Sequence, residues 1–268
     1  MRREKSLTFL IERYQLGLCA ILLAAIPASA APPAASPAAT PLKAGEAWSI
    51  KQEGETGGVH KTLITKTTFR SENMTGGIVI AAKAPSWDVH VYNRKSKSFC
   101  VVPLSKFQGE MSAKLFASDR AELRAAQWRL DGPTRNLGHE LLRYKMIPAP
   151  KVKVKRYRTP FITNATYWTF KNIDAPPQCQ ELLAKIYQLP TQVKGIPFRL
   201  FVTDASKGWF ESLNTLSAEK VDGAVVSFDV PKGYLLKKTQ EEVMVDPVSK
   251  DVFDSFSKWV EPTLEKKK

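Results

Sequence analysis

Apolar and polar residues alternate at every second position over much of this chain, and that periodicity restricts it to a largely antiparallel β fold. Trp87-Asp88-Val89-His90-Val91-Tyr92 alternates, Asn93-Arg94-Lys95-Ser96-Lys97 supplies a polar turn, and Ser98-Phe99-Cys100-Val101-Val102 returns. This is the pattern of a β-hairpin with one face buried. Residues 62–70 and 77–82 are rich in β-branched side chains and flank a turn-prone 71–76. Further strands are expected at 139–146, 151–158, 166–171, 198–203, 208–216 and 224–230, with Pro148-Ala149-Pro150 separating the first two.

Three segments carry helical spacing instead. Leu104, Phe107, Met111 and Leu115 recur at three and four residues, and an Ala/Arg/Glu-rich stretch follows towards Trp128, which predicts a helix over 104–128. Pro176-Pro177 can open a second helix, since the first turn has no partner for the N–H groups proline lacks. Cys179, Leu182, Leu183, Ile186 and Tyr187 would form its apolar stripe, with Pro190 beyond its end. The third begins near Ser249, with Val252, Phe253, Phe256, Trp259 and Val260 on one face and Lys266-Lys267-Lys268 as a basic tail. Strands in runs, broken by a few amphipathic helices, indicate an α+β fold with helices against one face of a single sheet. A curled sheet of this kind would turn its concave face into a cavity.

The N-terminus sets the expected compartment. Basic Arg2, Arg3, Lys5 and Arg13 precede an apolar run from Leu16 to Ile26, then Pro27 and Ala28-Ser29-Ala30. This is the order of an export leader with a small-x-small cleavage site. The run is about eleven residues, where a membrane-spanning helix needs roughly twenty. An uncleaved anchor reaching back through Leu7–Ile11 is the alternative, with Glu12 and Arg13 interrupting it. Residues 31–47 open with APPAASPAATP, which has nothing with which to build a core and reads as a linker. The organisation expected is a signal peptide at 1–30, a linker at 31–47, a β domain at 48–247, and an amphipathic helix with its basic tail at 248–268. Periplasmic placement is the first expectation, and an extracellular one the second.

The chain holds 40 Lys+Arg against 26 Asp+Glu, a net +14, which suits an anionic surface or polyanion. No nucleic-acid motif accompanies the charge. Lys151, Lys153 and Lys155 would share one face of a strand, with Val152 and Val154 on the other. Such a ribbon serves either an anionic partner or the protection of an edge strand. Cys100 and Cys179 remain after the leader, and their positions leave a disulfide and two buried thiols equally open.

Catalytic patterns are missing. There is no GxSxG, P-loop, GxGxxG or HExxH, and after His139-Glu140 an arginine, Arg143, stands where a second histidine belongs. Glu241-Glu242, read as adjacent strand residues, would point to opposite faces. His60, His90 and His139 are far apart, and no CxxC occurs, so no metal or other cofactor is expected. The expectation is a non-enzymatic protein.

Several quoted segments carry a resemblance. The hairpin from Trp87 to Phe99, the pair Tyr167-Trp168, the helix after Pro176, Gly195-Ile196-Pro197-Phe198 and Phe228-Asp229-Val230-Pro231-Lys232-Gly233-Tyr234 follow one another after a leader. In that order they are similar to the periplasmic lipoprotein-carrier superfamily (LolA/LolB-like), as an outlying exported member. The resemblance implies an unclosed half-barrel, a single curved antiparallel sheet with two or three helices over its concave face, and an apolar cavity that holds acyl chains. The Pro-rich linker and basic C-terminal segment depart from a minimal carrier of that type.

The leading expectation is therefore an exported binding protein for a lipid, acyl chain or other apolar ligand. Trp87, Phe107, Met111, Trp128, Trp168, Leu183, Ile186, Phe201 and Trp209 are the candidate cavity residues, because apolar ligand sites are built from such side chains. Core packing would use the same types. The alternative is an envelope interaction protein docking on anionic lipid or cell-wall polymer through Lys151, Lys153 and Lys155.

Overall fold

The computed structural model describes residues 42–43, 45–55, 58–110, 121–147, 162–204, 208–223 and 227–244. Two antiparallel meanders share one sheet. The first runs through β1 (Glu46–Gly54), β2 (Gly58–Ile64), β3 (Thr68–Asn73), β4 (Ile78–Lys83), β5 (Val89–Asn93) and β6 (Ser98–Val102). The second runs through β7 (Gln127–Asn136), β8 (His139–Ile147), β9 (Ile162–Phe170), β10 (Pro197–Asp204) and β11 (Gly208–Asp222). They meet where β1 pairs with β11, from Glu46 opposite Asp222 to Gly54 opposite Leu213. A two-residue β12 (Leu235–Leu236) joins β6 in parallel, giving the order β12-β6-β5-β4-β3-β2-β1-β11-β10-β9-β8-β7. Among the described residues β12 and β7 are the two edges, so the twelve strands form a sheet that does not close. It is the unclosed, mostly antiparallel half-barrel expected of the chain.

Local chemistry explains the turns. The Asn93 side-chain oxygen accepts N–H bonds from Lys95 (2.8 Å) and Ser96 (3.3 Å), holding the β5–β6 hairpin. Asn73 does the same between β3 and β4 for Thr75 (3.1 Å) and Gly76 (2.7 Å). Both are side-chain mimics of a backbone turn. Leu137 and Gly138 have φ of 45° and 76°, as a two-residue primed hairpin turn between Asn136 and His139 requires. Register shifts at Leu130/Gly132, Leu200/Phe201 and Lys51/Gln52 insert bulges into the second meander and its seam with the first. Bulges raise local twist, and so help the sheet to curl.

Three α-helices are described: α1 (Ala121–Ala125), α2 (Pro177–Tyr187) and α3 (Gln240–Met244). α2 is the expected second helix. Pro177 lies in its first turn, Gln188 caps its end in the left-handed region (φ 54°), and Cys179, Leu182, Leu183, Ile186 and Tyr187 are all buried. Its stripe joins Ile50, Ile64, Phe69, Ile80, Val91, Leu200 and Val202 of the sheet in one core cluster.

Several expectations need correction. The helix over 104–128 is instead a 3₁₀ turn at Leu104–Lys106, an extended stretch to Glu110, and the short α1, with 111–120 outside the described residues. Gly109 (φ +80°) cannot continue a helix there, and Trp128 stands on β7. β7 itself was not expected, because Gly132-Pro133 breaks its pattern. At a sheet edge a proline leaves no ladder bond unmade, and the bulge beside it absorbs Gly132. Residues 62–70 form two strands rather than one, since the Thr65 hydroxyl accepts N–H bonds from Thr67 (3.1 Å) and Thr68 (3.0 Å) and turns the chain. Finally, residues 227–230 form no strand, while 224–226 lie outside the described residues. The chain there crosses over the outer face of the sheet: Arg70 Nη1 donates to the Ser227 carbonyl (3.0 Å), and Tyr234 packs edge-on against Tyr92 (5.7 Å). Glu241 and Glu242 fall on α3 and not on a strand.

Among the described residues the cysteines are free and buried, Cys100 on β6 and Cys179 on α2. Of the two possibilities open in the sequence, the structure takes the thiols. The expected strand at 151–158 and the helix at 248–268 lie outside the described residues.

Candidate functional site

The concave face is apolar because strand alternation sends one set of side chains inward. Trp48 and Ile50 of β1, Ile64 of β2, Phe69 of β3, Ile80 of β4, Val89 and Val91 of β5 and Cys100 of β6 all enter the core cluster. From the other meander come Ala165 and Tyr167 of β9, Leu200 and Val202 of β10, and Leu213 of β11. α2 lies on this face. Its Tyr187 ring stands so close to β1 that a Cβ added at Gly54 would come within 3.2 Å of it.

A cover of irregular chain completes the site. Lys185 Nζ of α2 donates to the Leu104 carbonyl (2.6 Å), and Gln240 of α3 bonds the Gly109 carbonyl through its amide. A Cβ at position 109 would collide with the Lys185 carbonyl, so only glycine allows this segment to lie against the helix. The stretch from Leu104 to Glu110 is thereby pinned between α2 and α3.

At the end of this cover sits a polar cluster inside the apolar shell. Glu110 is 6% exposed and His60 1%. Asn73 Nδ2 donates to Glu110 Oε2 (3.2 Å), and His60 Nε2 lies 3.7 Å from Oε1. The Tyr187 ring meets His60 edge-on at 5.3 Å. Burial pushes the Glu110 carboxyl up to about 7, with the Asn73 bond pulling the other way. Burial, with Glu110 beside it, also raises the Tyr187 hydroxyl well above its ordinary range. Near neutral pH the cluster therefore holds a carboxyl that can exist in either protonation state, and its charge is what the apolar shell penalises.

The sequence candidates divide between the two faces. Trp87, Phe107, Leu183 and Ile186 are buried in the core cluster. Trp128 is half-buried against it, edge-on to Tyr167 (5.9 Å), with its Nε1 donating to the Leu123 carbonyl (3.3 Å). Trp168 borders the core but packs edge-on against Phe201 at 5.5 Å, and Phe201 against Trp209 at 5.9 Å. Phe201 and Trp209 are on the outer face, because Leu200, Val202 and Phe210 take the inward positions beside them. Met111, Lys151, Lys153 and Lys155 lie outside the described residues. Sequence reading missed His60, Asn73, Glu110 and Tyr187 as a group: Asn73 is legible as a turn residue, but nothing local ties it to Glu110.

Among the described residues, no group of three or more His, Cys, Asp or Glu side chains is placed to hold a metal ion. None of the helices described is long and apolar enough to cross a membrane.

No protein-family model matches the chain, and no curated protein matches it. Solved structures do. An uncharacterized conserved protein from Thermus thermophilus is 11% identical, with a TM-score of 0.39, over 72% of this chain and 90% of that one. The Mycobacterium tuberculosis lipoprotein LppX is 12% identical, with a TM-score of 0.28, over 69% and 90%. A LolA superfamily protein from Nitrosomonas europaea is 10% identical, with a TM-score of 0.20, over 75% and 89%. These are similarities between chains with almost no sequence in common.

Proposed function

We propose that this chain is an exported, non-enzymatic binding protein that holds a lipid, an acyl chain or another apolar ligand in its half-barrel. The observation that supports this reading is how the concave face is filled. An eight-stranded barrel is narrow enough for its own side chains to fill, and wider ones leave internal space. Here twelve strands curl without closing, and an eleven-residue helix occupies the interior.

That helix is joined to the sheet by loops on both sides, Lys171–Pro176 before it and 188–196 after it. An acyl chain taking the place of its Leu182, Leu183 and Ile186 would exchange one apolar contact for another. Each CH₂ so buried contributes about 0.8 kcal/mol, so a long chain can offset displacement of the helix without any dedicated polar contact. In this reading Trp87, Phe107, Trp128, Leu183 and Ile186 line the ligand's path, and the segment from Leu104 to Glu110 is the cover that moves. Residues 1–30 act as the leader, the chain from residue 31 as a linker that ends where β1 begins at Glu46, and the sheet with its helices as the binding domain.

The test is uptake of a fluorescent fatty acid by the purified protein, at low and high salt. Saturable binding that changes little with salt is expected of an apolar cavity. Absence of uptake under both conditions contradicts the reading. Binding that collapses in high salt would instead indicate headgroup capture at the surface.

A further inference from the structure

The outer face of the second meander carries features that core packing does not require. Trp209 is 75% exposed, although tryptophan is highly buried on average. It does not stand alone. Trp209, Phe201 and Trp168 form a continuous ladder across β11, β10 and β9. Cross-strand register then identifies their neighbours, since directly opposed residues share a face. Arg129 faces Lys145, Lys145 faces Thr166, and Thr166 faces Phe201. In the next row Arg143 faces Trp168, and Trp168 faces Arg199, whose guanidinium also lies over the Phe201 ring at 5.3 Å.

Four cations thus accompany the ladder, Arg129, Arg143 and Lys145 on its β7–β8 side and Arg199 beside its rings on β10. Two carboxylates accompany them: Asp131, which pairs with Arg143 (2.7 Å) and Lys145 (3.2 Å), and Glu211, which pairs with Arg199 (2.7 Å). The patch keeps a positive excess, on a chain that carries +14 overall.

We infer that this face, with Trp209 at its exposed β11 end and the cations on its β7–β8 side, docks the protein on the surface of an anionic phospholipid bilayer. Two observations select that partner. Tryptophan beside arginine and lysine is the composition of the membrane–water interface, where the indole sits among headgroups and the cations meet phosphate. The ring geometry disfavours a glycan, because a stacking platform needs successive rings to present their flat faces together. Here they stand edge-on, at 77° and 70° to one another. The inference goes beyond the ligand reading and is independent of it, since the two stand on opposite faces of the sheet.

The experiment is co-sedimentation of the purified full chain with phosphatidylcholine vesicles, with and without phosphatidylglycerol, comparing wild type with Trp209→Ala and with Arg129→Glu/Lys145→Glu. Both variants change exposed or partly exposed groups, and circular dichroism checks that they fold. Trp209→Ala is expected to weaken binding to the anionic vesicles about tenfold, from loss of partitioned aromatic surface. The charge-reversal variant is expected to weaken it by at least about tenfold, at several-fold per charge. Quenching of wild-type fluorescence by lipids brominated near the headgroup should fall in Trp209→Ala. Variants that bind as wild type does would overturn the inference, and so would equal binding to neutral vesicles. Binding to isolated cell-wall polymer in place of vesicles, lost in the same variants, would also overturn it and reassign the face to a glycan.

Discussion

Replacing Glu110 with Gln should make the folded protein more stable at alkaline pH and leave it nearly unchanged at acidic pH. The carboxyl is buried, with His60, Asn73 and Tyr187 around it, and burial raises it from 4.5 to about 7. The folded state therefore holds this proton more tightly than the unfolded chain does. Its contribution to stability is fully present below about pH 4.5 and is lost as pH rises through about 7. The rise from 4.5 to about 7, at roughly 1.4 kcal/mol per tenfold change in proton affinity, sets a ceiling of about 3 to 4 kcal/mol on the effect. Glutamine keeps the shape of the protonated acid and an oxygen for the Asn73 bond, yet cannot ionise. Denaturant unfolding of wild type and variant, in steps from about pH 5 to about pH 8, isolates this group from others that titrate, since only the difference between the two curves matters. That difference should grow towards about 3 kcal/mol in favour of the variant at the alkaline end. Parallel curves would refute the reasoning, since they would show that folding does not raise the Glu110 carboxyl above its unfolded value.

Other consequences follow from the same packing. Burial pushes the Cys100 thiol up to about 11 and Cys179 to about 12, so neither should react with a thiol reagent near pH 8 until denaturant is added, and reduction should leave the mass unchanged. Gly109→Ala would drive a methyl group into the Lys185 carbonyl from a left-handed backbone; it should destabilise the protein by more than about 2 kcal/mol in chemical denaturation. Asn93→Ala removes both turn bonds of the β5–β6 hairpin and a 3.1 Å bond from the Asn93 amide to the Val243 carbonyl. A loss of about 2 kcal/mol is expected by the same measurement.

What could be read from the sequence depended on whether the signal was local. The hairpin from Val89 to Val102 was legible because alternation, a polar loop and a return strand lie within fourteen residues. α2 was legible because two prolines and a five-residue stripe mark it. β7 was not, since Gly132-Pro133 signals a break in any strand but an edge strand, and edge position is a property of the whole sheet. Alternation separates Phe201 from Leu200 and Trp209 from Phe210 but does not say which of each pair faces inward; the neighbouring strands decide that through register. The cluster of His60, Asn73, Glu110 and Tyr187 draws on β2, β3, the cover segment and α2, so it exists only once the sheet has curled around the helix.

The central claim is that the half-barrel holds an apolar ligand, and the most direct measurement is mass spectrometry of an organic extract of the protein, purified without detergent and washed in high salt. Lipid or fatty acid retained in stoichiometric amount is the result this account predicts. An extract free of lipid, from protein that also fails to take up a fluorescent fatty acid, would contradict it.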